Sequence, residues 1–110
     1  MLKWRNHEFE SSSSTTEEFK SFSRDIKKYL KEKMVGYNLV NYNRGHFYFS
    51  AFFEKDEKFI YISSSDVRHF KDEWLNNLLV RTAENEKDYT GGRNDFSSLE
   101  KIKETADRLL

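Results

Sequence analysis

Three histidines, His7, His46 and His69, are the side chains of this chain best suited to proton transfer at neutral pH. Asp66-Val67-Arg68-His69 sets an acid, a guanidinium and an imidazole side by side. With Arg81 to handle phosphate, and His46 and His69 as general acid and base, they would make a metal-independent nuclease. The plainer reading is preferred: Asp66 caps a turn and pairs with Arg68 or Arg81, and the histidines are surface or structural residues. No catalytic residue is therefore assigned. No histidine pair sits at a ligand spacing, His-x-x-x-His is absent and there is no cysteine, so neither a metal nor a cofactor is expected.

The other candidate is Asp88-Tyr89-Thr90-Gly91-Gly92-Arg93-Asn94-Asp95. As a calcium loop it fails, because Arg93 falls where the glycine belongs and Leu99 where the bidentate glutamate belongs. As a phosphate loop it lacks the Gly-Lys-Ser/Thr ending. What is left is a Gly-Gly turn whose amides, with Arg93, could hold an anion. The alternatives are an ordered loop leading into a helix cap and a partner-binding loop.

These residues need a scaffold, and its centre is legible. His46 to Glu54 and Lys58 to Ser63 are aromatic and β-branched runs joined by a short charged turn, which reads as a hairpin. Phe47, Phe49, Ala51 and Phe53 form the apolar phase expected to face the helices. Tyr48, Phe52, Phe59 and Tyr61 then form a second aromatic face, open unless the N-terminal segment with Trp4 and Phe9, or the Trp74 region, covers it. Tyr37 to Asn43 reads as a preceding strand with Asn43-Arg44-Gly45 as its turn. Leu78 to Ala83 reads as a fourth strand, Asp66 to Trp74 as a turn or short helix, and Glu84 to Asp95 as a polar loop.

Helices bracket the strands. Ser14 and Thr15 stand three residues before Glu17 and Glu18, a capping-box spacing. Phe19, Phe22, Ile26, Tyr29 and Leu30 then recur at helical period, and Gly36 is a natural stop. Lys20, Arg24, Lys27, Lys28, Lys31 and Lys33 lie mostly off that stripe, leaving a basic face. Ser97 and Glu100 repeat the capping-box spacing before Leu99, Ile102, Ala106 and Leu109. The expectation is an α+β fold: a small antiparallel sheet of three to four strands flanked by an N-terminal and a C-terminal helix. Residues 1–16 form an N-terminal segment with a Ser/Thr connector, and 17–110 a single domain.

Composition sets the function class. Nineteen basic and nineteen acidic residues balance in 110, whereas a dedicated duplex binder is usually clearly basic. The charged fraction of 35 % and the lack of a long apolar run argue against a membrane protein, and no signal-peptide stretch opens the chain. A cytoplasmic location is expected. Ten Phe, six Tyr and two Trp supply large apolar area to a small core.

Gly45-His46-Phe47-Tyr48-Phe49-Ser50, Phe59-Ile60-Tyr61-Ile62-Ser63 and Ser65-Asp66-Val67-Arg68 are one set of distinctive wordings. Leu79-Val80-Arg81-Thr82-Ala83 and Lys87-Asp88-Tyr89-Thr90-Gly91-Gly92 are another. Together, over residues 17 to 110, the chain resembles small accessory proteins carried on conjugative elements and prophages of Gram-positive bacteria. The resemblance carries over no site residue. It implies an anti-defence role of the anti-CRISPR type: a non-enzymatic protein that binds and inhibits a host defence nuclease. Surface-occupying inhibitors rely on aromatic and arginine anchors, which points to Tyr48, Phe52, Tyr61, Asp88, Tyr89 and Arg93 as contacts. The acidic Glu84 to Asp88 stretch would mimic nucleic acid locally. The alternatives are a single-stranded nucleic-acid module using the sheet aromatics and the basic helix face, the small nuclease above, and an aromatic face that serves as a homodimer interface.

Overall fold

A computed structural model describes residues 16–67 and 70–110. His7, Trp4, Phe9, the Ser14 and Thr15 caps, Arg68 and His69 lie outside the described residues. The order is helix α1 (Thr16–Lys33), strands β1 (Asn38–Arg44), β2 (Phe49–Lys55) and β3 (Lys58–Ser63), and a 3-10 segment (Phe70–Asn76). Strands β4 (Leu78–Ala83) and β5 (Asn94–Ser97) and helix α2 (Ile102–Leu109) follow. The five strands form one antiparallel sheet in sequence order. Connections without a crossover favour this meander for adjacent strands. The fold is α+β as expected, with β5 extending the sheet beyond the aromatic strands.

One sheet face is the core. Phe49, Ala51 and Phe53 of β2, Ile60 and Ile62 of β3, and Leu78 and Val80 of β4 are buried there against Phe19, Ile26 and Leu30 of α1 and Ile102, Ala106 and Leu109 of α2. Trp74 fills the space between α1 and the sheet, edge-on to Phe22 and Phe49. Its Nε1 is buried with no hydrogen-bond partner among the described residues, a cost accepted for the ring's large apolar area. Phe47 joins this core, as its phase requires, but from outside the strand. Its backbone turns through φ 58°, which ends the alternation before β2 begins and sets its ring 5.4 Å from Phe19.

Turn chemistry sets the ends. Gly36 at φ +92° stops α1 in the left-handed conformation that glycine adopts most cheaply. Asp56 (φ 52°) and Glu57 (φ 67°) close the β2–β3 hairpin with Lys55 opposite Lys58. Positive φ at both central residues makes a two-residue turn matched to strand twist. The Ser97–Glu100 capping box is not formed. Ser97 lies in β5 facing inward, where its Oγ meets the Thr105 hydroxyl at 2.8 Å. Ser98 Oγ instead accepts the Lys101 amide, at 3.2 Å.

Candidate binding face and its loop

The outer sheet face is built by register. Tyr61 stands opposite Phe52 on one side and Arg81 on the other, Arg81 opposite Asn94, and Leu79 opposite Phe96. Cross-strand partners share a face, so these side chains form a continuous row away from the helices. The connection from β4 to β5 does not project into solvent; it folds back over this row. Tyr89 lands edge-on against Phe52 (5.1 Å) and Tyr61 (5.6 Å). Asn43 donates to the Tyr89 hydroxyl at 3.2 Å and Asn41 to the Glu86 carbonyl at 3.0 Å, which ties the loop to the far strand β1.

Arg81 is the fastener. It is 5 % exposed and its guanidinium lies 4.7 Å from the Tyr61 ring centre. It donates to the Asp88 carbonyl at 2.7 Å and to the Gly91 carbonyl. The planar fork suits two carbonyls and a ring face at once. The loop amides are also spoken for. Asp88 accepts the N–H of Glu84 (3.0 Å), Thr90 (3.2 Å) and Gly91 (3.0 Å). Those bonds, the Glu84 amide first and the Arg81 charge last, hold its carboxyl below the usual range. The Gly91 amide of the Gly-Gly turn therefore serves the loop's own carboxylate, which competes with any external anion there.

Gly92 explains why the loop can lie so close. At φ +89° an added Cβ would stand 1.8 Å from the Thr82 carbonyl oxygen. Beyond it Arg93 pairs with Thr82 through both backbone groups and the Thr82 hydroxyl, and its guanidinium donates to the Leu109 carbonyl at the end of α2.

The contacts foreseen from sequence separate. Tyr61, Asp88 and Tyr89 come together, with Tyr89 50 % exposed. Phe52 is not a surface contact: it is 0 % exposed beneath Tyr89 and supports the rings above it. Trp74 packs on the opposite, core face against Phe22 and Phe49, and Trp4 and Phe9 lie outside the described residues. Tyr48 stands at the β1–β2 turn with its ring over Gly45, and Arg93 at the loop's far end. Arg81 does not pair with Asp66 or gather phosphate, since its charge is used by Asp88 and Gly91. His46 is exposed and packs against Phe47, and no group of metal-ligating side chains forms among the described residues. Sequence reading missed Phe96. It is 64 % exposed and becomes a sheet-face aromatic only because Asn94–Ser97, poor in β-formers, pairs with β4.

Charge completes the face. Among its described sheet positions only Arg81 is cationic and it is buried, while Glu84, Glu86 and Lys87 are exposed at the loop rim, two acids to one base. No described helix is long and apolar enough to cross a membrane. No family model matches the chain, and no curated protein or solved structure does either.

Proposed function

We propose that this chain is a non-enzymatic accessory protein of a mobile genetic element that binds and inhibits a host defence nuclease in the cytoplasm. The observation that carries this reading is the outer face itself. Tyr61 and Phe96 on the sheet and Tyr89 on the loop packed over it stand beside Glu84 and Glu86, and the one sheet-face cation is buried. Aromatic anchors with an acidic rim suit a basic protein surface such as a nuclease's substrate channel. The same rim repels phosphate, which disfavours single-strand stacking on these rings. The basic face of α1 gives that alternative no help, because α1 packs on the opposite side of the sheet.

The test is a titration of the purified protein into cleavage reactions of RNA-guided nucleases from Gram-positive hosts, with affinity read by calorimetry. Stoichiometric inhibition is expected for one of them. Tyr89→Ala, with circular dichroism unchanged, should weaken it at least tenfold, the effect of losing an anchor residue. A folded Tyr61→Ala/Tyr89→Ala protein that inhibits as well as the parent would remove this face from the mechanism.

A further inference from the structure

The balanced charge of the chain hides a segregated helix. At 3.6 residues per turn, Lys20, Arg24, Lys27, Lys28 and Lys31 fall in one solvent-facing sector of α1, and all five are exposed. Glu18, Asp25 and Glu32 recur at heptad spacing along the neighbouring sector. Glu17 is the one acid within the basic sector and pairs with Lys20 at 3.8 Å. Arg24, Lys28 and Lys31 form no ion pair among the described residues, and Lys27 rests 5.7 Å from the Tyr42 ring centre.

Asp25 and Glu32 stand at i−3 and i+4 from Lys28 and offset part of its charge, but the rest of the sector works against helix stability. Lys20 with Arg24, Arg24 with Lys28, and Lys27 with Lys31 are like charges at i,i+4, each unfavourable. Placing the three acids between them would relieve it. Lys31 and Lys33 in the last turn suit the helix dipole, but that effect fades within one turn and gives no account of Lys20, Arg24 and Lys27.

We propose that the basic sector of α1 is a second binding face that takes the phosphate backbone of double-stranded DNA. The cations run about 16 Å along a straight helix at 1.5 Å per residue, a rigid line of point charges for a duplex with a charge every ~1.7 Å. Single strands are the poorer fit because no free ring accompanies the cations. Tyr29 and Tyr42 are half-buried, and Lys33 and Lys27 already lie over them. A membrane surface is the poorer fit because Phe19, Ile26 and Leu30 are all in the core, leaving no apolar side to insert. Four of the five cations are lysines, which protein–protein interfaces disfavour. This face lies across the molecule from Tyr89 and stands whether or not a nuclease is the partner there.

Fluorescence anisotropy of the full chain with a labelled random-sequence 20-base-pair duplex tests it. Binding is expected at 50 mM KCl and should weaken on the order of 100-fold by 200 mM, the slope for about four phosphate contacts. Lys28→Glu/Lys31→Glu should cost at least tenfold and flatten the salt slope by about two. The gentler Lys28→Gln/Lys31→Gln, which spares the helix new like-charge acids, should act in the same direction. Lys101→Glu, the same kind of charge reversal at one lysine on the α2 side, should leave affinity near the parent's. The inference is overturned by no binding at 50 mM, by helix variants that bind like the parent, or by an equal loss in Lys101→Glu. Competition by polyglutamate or phosphatidylserine vesicles as strong as by unlabelled duplex would overturn it too.

Discussion

Two glycines share one backbone conformation and differ in what surrounds them, which makes them a controlled pair. Gly36 sits at φ +92° with nothing within 4 Å of where a Cβ would stand, and Gly92 at φ +89° with the Thr82 carbonyl oxygen 1.8 Å from that point. Gly36→Ala should therefore cost only the left-handed penalty, about 1 kcal/mol. Gly92→Ala carries the same penalty and must also move backbone by more than about 1 Å to reach ordinary contact. Thr82 cannot yield easily, because its strand pairs with Ile60 and its N–H and hydroxyl bond Arg93 at 2.9 and 2.8 Å. Losing those two bonds at about 1 kcal/mol each, with strain of about 1 kcal/mol or more, brings the expected cost to about 4 kcal/mol. Urea unfolding followed by circular dichroism measures both variants, with equal m-values as the check that only stability moved. Gly92→Ala should also weaken the proposed nuclease inhibition, since it frees the loop that sets Tyr89 without removing a contact atom. Equal costs for the two alanines, within about 0.5 kcal/mol, would refute the steric reasoning and with it the claim that the loop is held this tightly.

Arg81→Ala should destabilise by about 3 kcal/mol, as one partner of a buried charged network is removed. Arg81→Lys should recover less than half, since an ammonium cannot span two carbonyls and a ring; full recovery in urea unfolding would show that charge alone matters. At alkaline pH two tyrosines should report the fold. Burial pushes Tyr42 up to about 12 against the opposing pull of the Ser23 hydroxyl and Arg44. Burial, then the hydrogen bond to Asp107, raises Tyr37 as well. Both folded values exceed the unfolded value of about 10, so their contribution is complete below that pH and is lost as pH rises toward 12. Absorbance at 295 nm should show these rings ionising together with loss of the near-ultraviolet dichroism. Ionisation of all six tyrosines near pH 10 with the dichroism intact would contradict that burial.

Local pattern carried much of the scaffold. The helical stripe of Phe19, Ile26 and Leu30, the stop at Gly36, and the β3 and β4 bounds at Lys58–Ser63 and Leu78–Ala83 were legible because period and turn residues are properties of neighbouring positions. So was the inward phase of Phe49, Ala51 and Phe53. Strand β5 was not legible, because Asn-Asp-Phe-Ser has little strand preference of its own and is recruited by the edge of β4. The roles of Ser97 and Arg81 were misread for the same reason: their partners, Thr105 for one and Asp88 with Gly91 for the other, are brought to them by the fold.

By itself the sequence determined an α+β chain with a hydrophobic hairpin at its centre, and a helix with an apolar stripe and a basic side. These follow from side-chain periodicity, which needs no knowledge of distant residues. Only the tertiary structure decided that Phe52 is buried and Tyr89 displayed above it, that the Gly-Gly loop encloses its own aspartate, and that the aromatic and basic faces point in opposite directions. Each of those outcomes depends on register and on how a loop packs across strands far from it in sequence, and such long-range contacts leave no local pattern.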